Sequence, residues 1–198
     1  MRTDYLNPAL YNKLYTVMTY ENVLALRVSL ETGLRVGDVL ALTDSQIVGR
    51  TIRGTAEKTG KKYRKVISYD LAKRLKQLPP NAAGYIFPHR TKPTEHRTRQ
   101  AVWQNMKKAA ALMGVQLNAA PHSARKTYAV QTFHDSGLEV AMKELQHDRL
   151  STTMLYAFSD MLQGERDQTA ELGGLAEQIA QRTAALVIEW LDKRLEPR

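Results

Sequence analysis

One stretch breaks the texture of this chain. Between residues 46 and 69, two segments with β-branched residues, Ile47-Val-Gly-Arg-Thr-Ile-Arg-Gly-Thr55 and Lys61-Lys-Tyr-Arg-Lys-Val-Ile-Ser-Tyr69, flank a glycine turn at Lys58-Thr-Gly60. The residues on either side repeat their apolar positions at helical spacing instead. A single hairpin-forming segment set among helices leaves few architectures open, and the expected one is mainly α with a small antiparallel β-sheet. At 198 residues and 43% hydrophobic content, the chain supports one well-filled domain, or a domain with an appendage.

The helices follow from caps and breakers. Asn7-Pro8 reads as an N-cap with proline at the first helical position, and Leu10, Leu14 and Val17 continue the pattern. A second helix from about Glu21 stops at Gly33, and a short one is expected from Val36 to Leu42. Asp70 is expected to cap a helix carrying Leu71, Leu75 and Leu78, which Pro79-Pro80 ends. Thr98 to Met113 places Val102, Met106, Ala109, Ala110 and Met113 on one face. Pro121 opens a helix reaching Ser136-Gly137, and another runs from Leu138 to Leu145. Ser151-Thr-Thr153 offers N-caps for a helix bearing Tyr156. After glycines 164, 173 and 174, a last helix is expected from Leu175 to Leu195, with an apolar stripe that has to be covered by its own domain or by another subunit.

Charge narrows the partners. Lys+Arg 29 against Asp+Glu 20 gives a net charge of +9, as expected of a protein that meets a polyanion. With no cysteine there is no disulfide framework and no thiolate chemistry. The N-terminal residues have no apolar signal segment and the run Ala184 to Ile188 is far too short to span a bilayer, so the expectation is a soluble, cytoplasmic protein with no membrane partner.

Six groups stand out: Arg35 in Thr32-Gly-Leu-Arg-Val-Gly-Asp38, Lys58 before Thr-Gly60 at the hairpin tip, His122 and Arg125 in Pro121-His-Ser-Ala-Arg-Lys126, His147, and Tyr156. Each has a plain alternative. Arg35 could be a surface arginine; Lys58 a solvated or backbone-contacting lysine; His122 a capping histidine; Tyr156 a core aromatic. Asp38 is expected to orient Arg35 by a charge-assisted bond under either reading. A phenol is a poor nucleophile at its ordinary pKa, so a chemical role for Tyr156 requires neighbours that take its proton and neutralise the group it attacks.

Taken together and in order, these residues resemble the catalytic domain of the tyrosine recombinase (phage integrase) family, whose motifs run Arg, a hairpin Lys, His-x-x-Arg, His or Trp, then Tyr. The resemblance covers roughly residues 20 to 160. It implies a site-specific recombinase that cleaves and rejoins double-stranded DNA through a 3′-phosphotyrosine link without metal, ATP or other cofactor. Arg35, Arg125 and His147 would hold the phosphate, His122 would accept the phenol proton, Lys58 would protonate the leaving 5′ oxygen, and Tyr156 would attack. It also implies a bacterial or phage-encoded protein that assembles as a homo-oligomer, a tetramer on two DNA sites, through its C-terminal helix. The expected division is a catalytic domain over 1–163 and a helical extension over 164–198, without the N-terminal core-binding domain usual in the family. Gln146 departs from the glycine usual before the second histidine.

Further cations are candidates for contact with the DNA backbone: Lys61, Lys62, Arg64, Arg90, Lys92, Arg97, Arg99 and Lys126. His89 and His96 lack the carboxylate or thiolate company of a metal site. Two other functions use the same scaffold: a DNA-binding regulator without strand exchange, and a relaxing enzyme of the type IB topoisomerase kind.

Overall fold

The computed structural model describes residue 6, residues 8–114 and residues 120–145. The chain divides into two units, Met1–Ala157 and Phe158–Arg198, and the described residues all belong to the first. His147, Tyr156 and the expected helix from Leu175 to Leu195 lie outside the described residues.

Six α-helices, a 3-10 turn over Asp44–Gln46 and one sheet make up the described part. In order the α-helices and strands are α1 (Pro8–Tyr15), α2 (Tyr20–Thr32), α3 (Val36–Leu40), β1 (Ile47–Val48), β2 (Thr51–Thr55), β3 (Lys62–Val66), α4 (Tyr69–Leu75), α5 (Arg99–Leu112) and α6 (His122–Glu144). The strands form an antiparallel meander in the order β1-β2-β3. This is the mainly helical fold with a small antiparallel sheet that the sequence leads one to expect.

Helix α2 is the centre of the core. Leu24, Ala25, Leu26 and Val28 are all fully buried, as expected for a helix enclosed by neighbours, and α3, α4, α6 and β3 pack around it. Their side chains join Leu14, Leu40, Ile52, Leu71, Phe87, Val102 and Met106 in one continuous cluster. Fully burying each large aliphatic side chain stabilises by roughly 1.5–3 kcal/mol before the entropy of ordering is subtracted.

Helix ends depart from expectation in two places. Ser68, not Asp70, caps α4: its Oγ accepts the backbone N–H of Leu71 at 3.3 Å. Ser68 is itself held by Glu31, whose carboxylate accepts its backbone N–H at 2.7 Å. Asp70 instead accepts from Arg27 at 3.0 Å and from Arg74 at 2.9 Å on the surface. Helix α3 ends at Leu40, two residues before the expected Leu42. Gly137 keeps its expected role, breaking α6 at φ 81°, ψ 175° into two helical pieces. No helix among the described residues is long and apolar enough to cross a membrane.

Candidate active site

The site is built around the end of α2. Gly33 takes the left-handed conformation at φ 69°, and its N–H closes α2 on the carbonyl of Ser29 at 2.9 Å. A side chain here is doubly excluded, because a Cβ would strike the ring of Tyr128. Leu34 then turns inward, and Arg35 stands at the N-cap of α3 with extended backbone, half-buried.

Arg35 borders two hollows. One, of about 540 Å³, is lined by Arg35, Gly37 and His122 together with Thr98, Arg99, Gln100 and Trp103 at the start of α5. The other is a narrow crevice where Arg35 meets Asp38, Tyr63, Lys65, Arg125 and Glu144. Arg35 and the His122–Arg125 turn of α6 are therefore brought together from two distant points in the chain. Arg125 is 6% exposed, and its Nη1 donates to the carbonyl of Gly33 while its Nη2 donates to that of Leu145 at 2.7 Å.

Packing cations together shows in their titration. Burial and the neighbouring Arg35 push the Arg125 guanidinium down to about 10, and Asp38 offsets part of that. His122 is exposed as a whole residue yet faces the cavity wall; partial desolvation, with Arg125, Lys126 and Arg35 nearby, lowers its pKa below 6.5. It is thus a neutral imidazole at neutral pH, with a nitrogen lone pair free to accept a proton.

Asp38 does not bond Arg35, contrary to expectation. It is 7% exposed at the third position of α3, and its Oδ1 accepts the backbone N–H of Glu57 at 2.9 Å. The carboxylate points under α3 toward the sheet, so it anchors the hairpin tip. Lys58, the next residue, is exposed in that tip, apart from both hollows. The tip is closed by Gly60, whose N–H reaches the carbonyl of Ala56 at 2.8 Å.

Candidate DNA-contacting cations divide by environment. Lys62, Arg64, Arg90, Lys92 and Arg99 are exposed, with Arg99 lining the larger hollow, and Lys61 is half-buried. Lys92 pairs with Glu95 at 2.8 Å. Arg97 is turned inward: its Nη1 donates to Asn22 at 2.8 Å and lies 3.6 Å from Glu21, so it braces α2 against the loop that leads into α5. Lys126 is 6% exposed, buried to the same degree as its neighbour Arg125. Among the described residues no group of three or more histidine or acidic side chains is placed to hold a metal.

Sequence reasoning passed over Lys65, Tyr128 and Glu144. The Lys65 amine donates to the backbone carbonyl of Glu144 at 2.8 Å and forms an ion pair with its carboxylate. The Tyr128 hydroxyl donates to that carboxylate at 3.3 Å, and Lys65 sits 5.7 Å from the centre of the Tyr128 ring. Lys65 holds the Glu144 carboxyl below its ordinary pKa. Strand alternation could have revealed Lys65, which shares the inward stripe of β3 with the buried Tyr63.

Comparison with known proteins gives a family and a fold. The model of the phage integrase family covers residues 4–163. The tyrosine recombinase XerD of Lacticaseibacillus casei is 27% identical over 144 residues, covering 63% of this chain and 46% of that protein. XerD of Shewanella oneidensis is 29% identical over 136 residues, covering 63% and 45%. The chain spans about half the length of these curated relatives. Among solved structures, the lambda integrase catalytic core superposes with a TM-score of 0.60 at 21% identity, over 76% of this chain and 95% of that one. XerA recombinase gives 0.63 at 19% identity, over 84% and 66%. A lambda integrase dimer bound to a COC′ core site gives 0.64 at 21% identity, over 79% and 48%.

Proposed function

We infer from one established fact, that this chain belongs to the phage integrase family, that it breaks and rejoins DNA strands through a covalent phosphotyrosine link. The observation that carries the reading is that Arg35 meets His122 at an open hollow and Arg125 in the crevice beside it. Two guanidiniums drawn together repel, and a phosphate between them converts that repulsion into binding.

In this reaction the Tyr156 oxygen attacks phosphorus as its proton passes to neutral His122. The bond from phosphorus to the 5′ oxygen breaks, and Lys58 supplies the proton that the departing oxygen takes up. Arg35 and Arg125, with His147, balance the charge that grows on the nonbridging oxygens. The phosphotyrosine conserves the phosphodiester, so a second 5′ hydroxyl can reverse the steps on a new partner strand. Duplex DNA is the substrate, and a homo-oligomer on two sites is the assembly that exchanges strands, with residues 164–198 as the linking segment.

A covalent trap tests the reading. Full-length protein and Tyr156→Phe are incubated with supercoiled plasmid and with nicked duplexes in excess chelator, then denatured in detergent. An adduct formed only by the protein with Tyr156 is the expected result. DNA binding without any adduct would replace this reading with that of a DNA-binding regulator.

A further inference from the structure

We propose that Lys65 and Glu144 form a positioning pair that sets the direction of the Arg125 guanidinium; the inference rests on the reading of Arg125 as a phosphate-holding residue. Lysine is out of place at position 65. It occupies an inward register of β3, and its side chain is only 11% exposed. A buried ammonium needs partners, and Glu144 provides both its backbone carbonyl, at 2.8 Å, and its carboxylate.

These bonds fall where α6 has no bonds of its own. Glu144 closes the helix, so its carbonyl and that of Leu145 belong to the last turn, whose carbonyls lack intrahelical donors. Lys65 takes the first and Arg125 takes the second. Two cations from distant parts of the chain thus complete one helix end, adjacent to the negative pole of its dipole.

Two acceptors of Arg125 differ in what secures them. The Gly33 carbonyl belongs to the closed end of α2, fixed by core packing. The Leu145 carbonyl lies beyond the break at Gly137, on a short helical piece that its own N–H closes on Ala141 at 3.0 Å. Lys65 ties that piece to the sheet through Glu144. Without the ammonium, the Glu144 carboxylate and carbonyl lose their counterion and donor, the last turn loosens, and the Leu145 carbonyl no longer aims the guanidinium.

The test uses the full chain with Lys65→Met, Glu144→Gln, and the exchanged pair Lys65→Glu with Glu144→Lys. One readout is the ¹⁵N-resolved Nε–H signal of Arg125, identified by its loss in Arg125→Lys. The other is the rate of covalent adduct formation at saturating plasmid, measured beside plasmid affinity. Lys65→Met is expected to shift or broaden the Arg125 signal and to slow adduct formation by about 10- to 100-fold, with affinity changed by less than about twofold. Glu144→Gln should give a smaller effect in the same direction, and the exchanged pair should restore part of both. An Arg125 signal unmoved by Lys65→Met overturns the proposal, as does a loss of affinity that accounts for the whole loss of rate. If the wild-type protein forms no adduct, the functional reading fails while the Arg125 signal still decides the pair.

Discussion

The carboxylate of Asp38 and the backbone N–H of Glu57 are 2.9 Å apart, which makes the floor of the arginine site and the root of the hairpin tip one hydrogen-bonded unit. Lys58 follows Glu57 directly, so the position of its ammonium depends on a carboxylate twenty residues away in sequence. Asp38→Ala leaves that N–H without its acceptor and should cost about 1–3 kcal/mol. The Glu57 amide should exchange faster with deuterium, and cleavage should slow. Asp38→Asn keeps an acceptor oxygen and should protect the amide, while removing the negative charge that offsets Arg125.

Gly33→Ala should be among the most damaging small changes in the chain. A left-handed backbone costs a residue with a side chain roughly 1–2 kcal/mol, and displacing the Tyr128 ring adds about 1–3 kcal/mol. Urea unfolding should show a stability lowered by about the sum, with the midpoint lowered by that sum divided by the m value. The same change moves the carbonyl that holds Arg125, so activity should fall further than the loss of folded protein explains.

His122 ties activity to pH with a definite sign. Its pKa is depressed, so the neutral form able to accept a proton persists below 6.5. The acid limb of single-turnover cleavage should therefore lie below that value. For stability the sign is the same: a histidine depressed in the folded state favours folding above 6.5 and loses that contribution as pH falls through the interval below it. His122→Gln should flatten both dependences, which chemical denaturation at several pH values can check.

Lys58 can be separated from the phosphate-holding residues by changing the leaving atom. Sulfur in place of the bridging 5′ oxygen departs without protonation. Lys58→Ala should be slow on ordinary DNA by about 10²–10⁴-fold and recover most of its rate on the sulfur substrate. Arg35→Lys should recover little on either, because a point charge cannot reproduce paired planar donors. Equal deficits of Lys58→Ala on both substrates would remove the acid role.

The parts of this molecule written in local chemistry were legible in its sequence. Gly33 as a helix stop, the hairpin with Lys58 at its tip, and the apolar face of α5 all follow from neighbours within a few positions. Sequence proximity pairs Asp38 with Arg35, its nearest cation in the chain, whereas sheet packing brings the Glu57 N–H to it instead. Net charge carries no direction, so Lys126 and Arg97 read as surface cations, and only tertiary packing shows which of 29 basic residues are buried or turned inward.

The break at Gly137 also bears on the order in which the chain folds. The piece after it, residues 138–144, is two turns long, too short to persist alone in water. Its polar tether to Lys65 bridges 79 residues, and the bond from Arg125 to Gly33 bridges 92. Closure over such separations costs chain entropy before any contact repays it, so local helices and the hairpin precede it. Slowing of refolding by substitutions at Leu24 or Ile52, with those at Lys65 or Glu144 acting on unfolding alone, would be the kinetic record of a site that closes last.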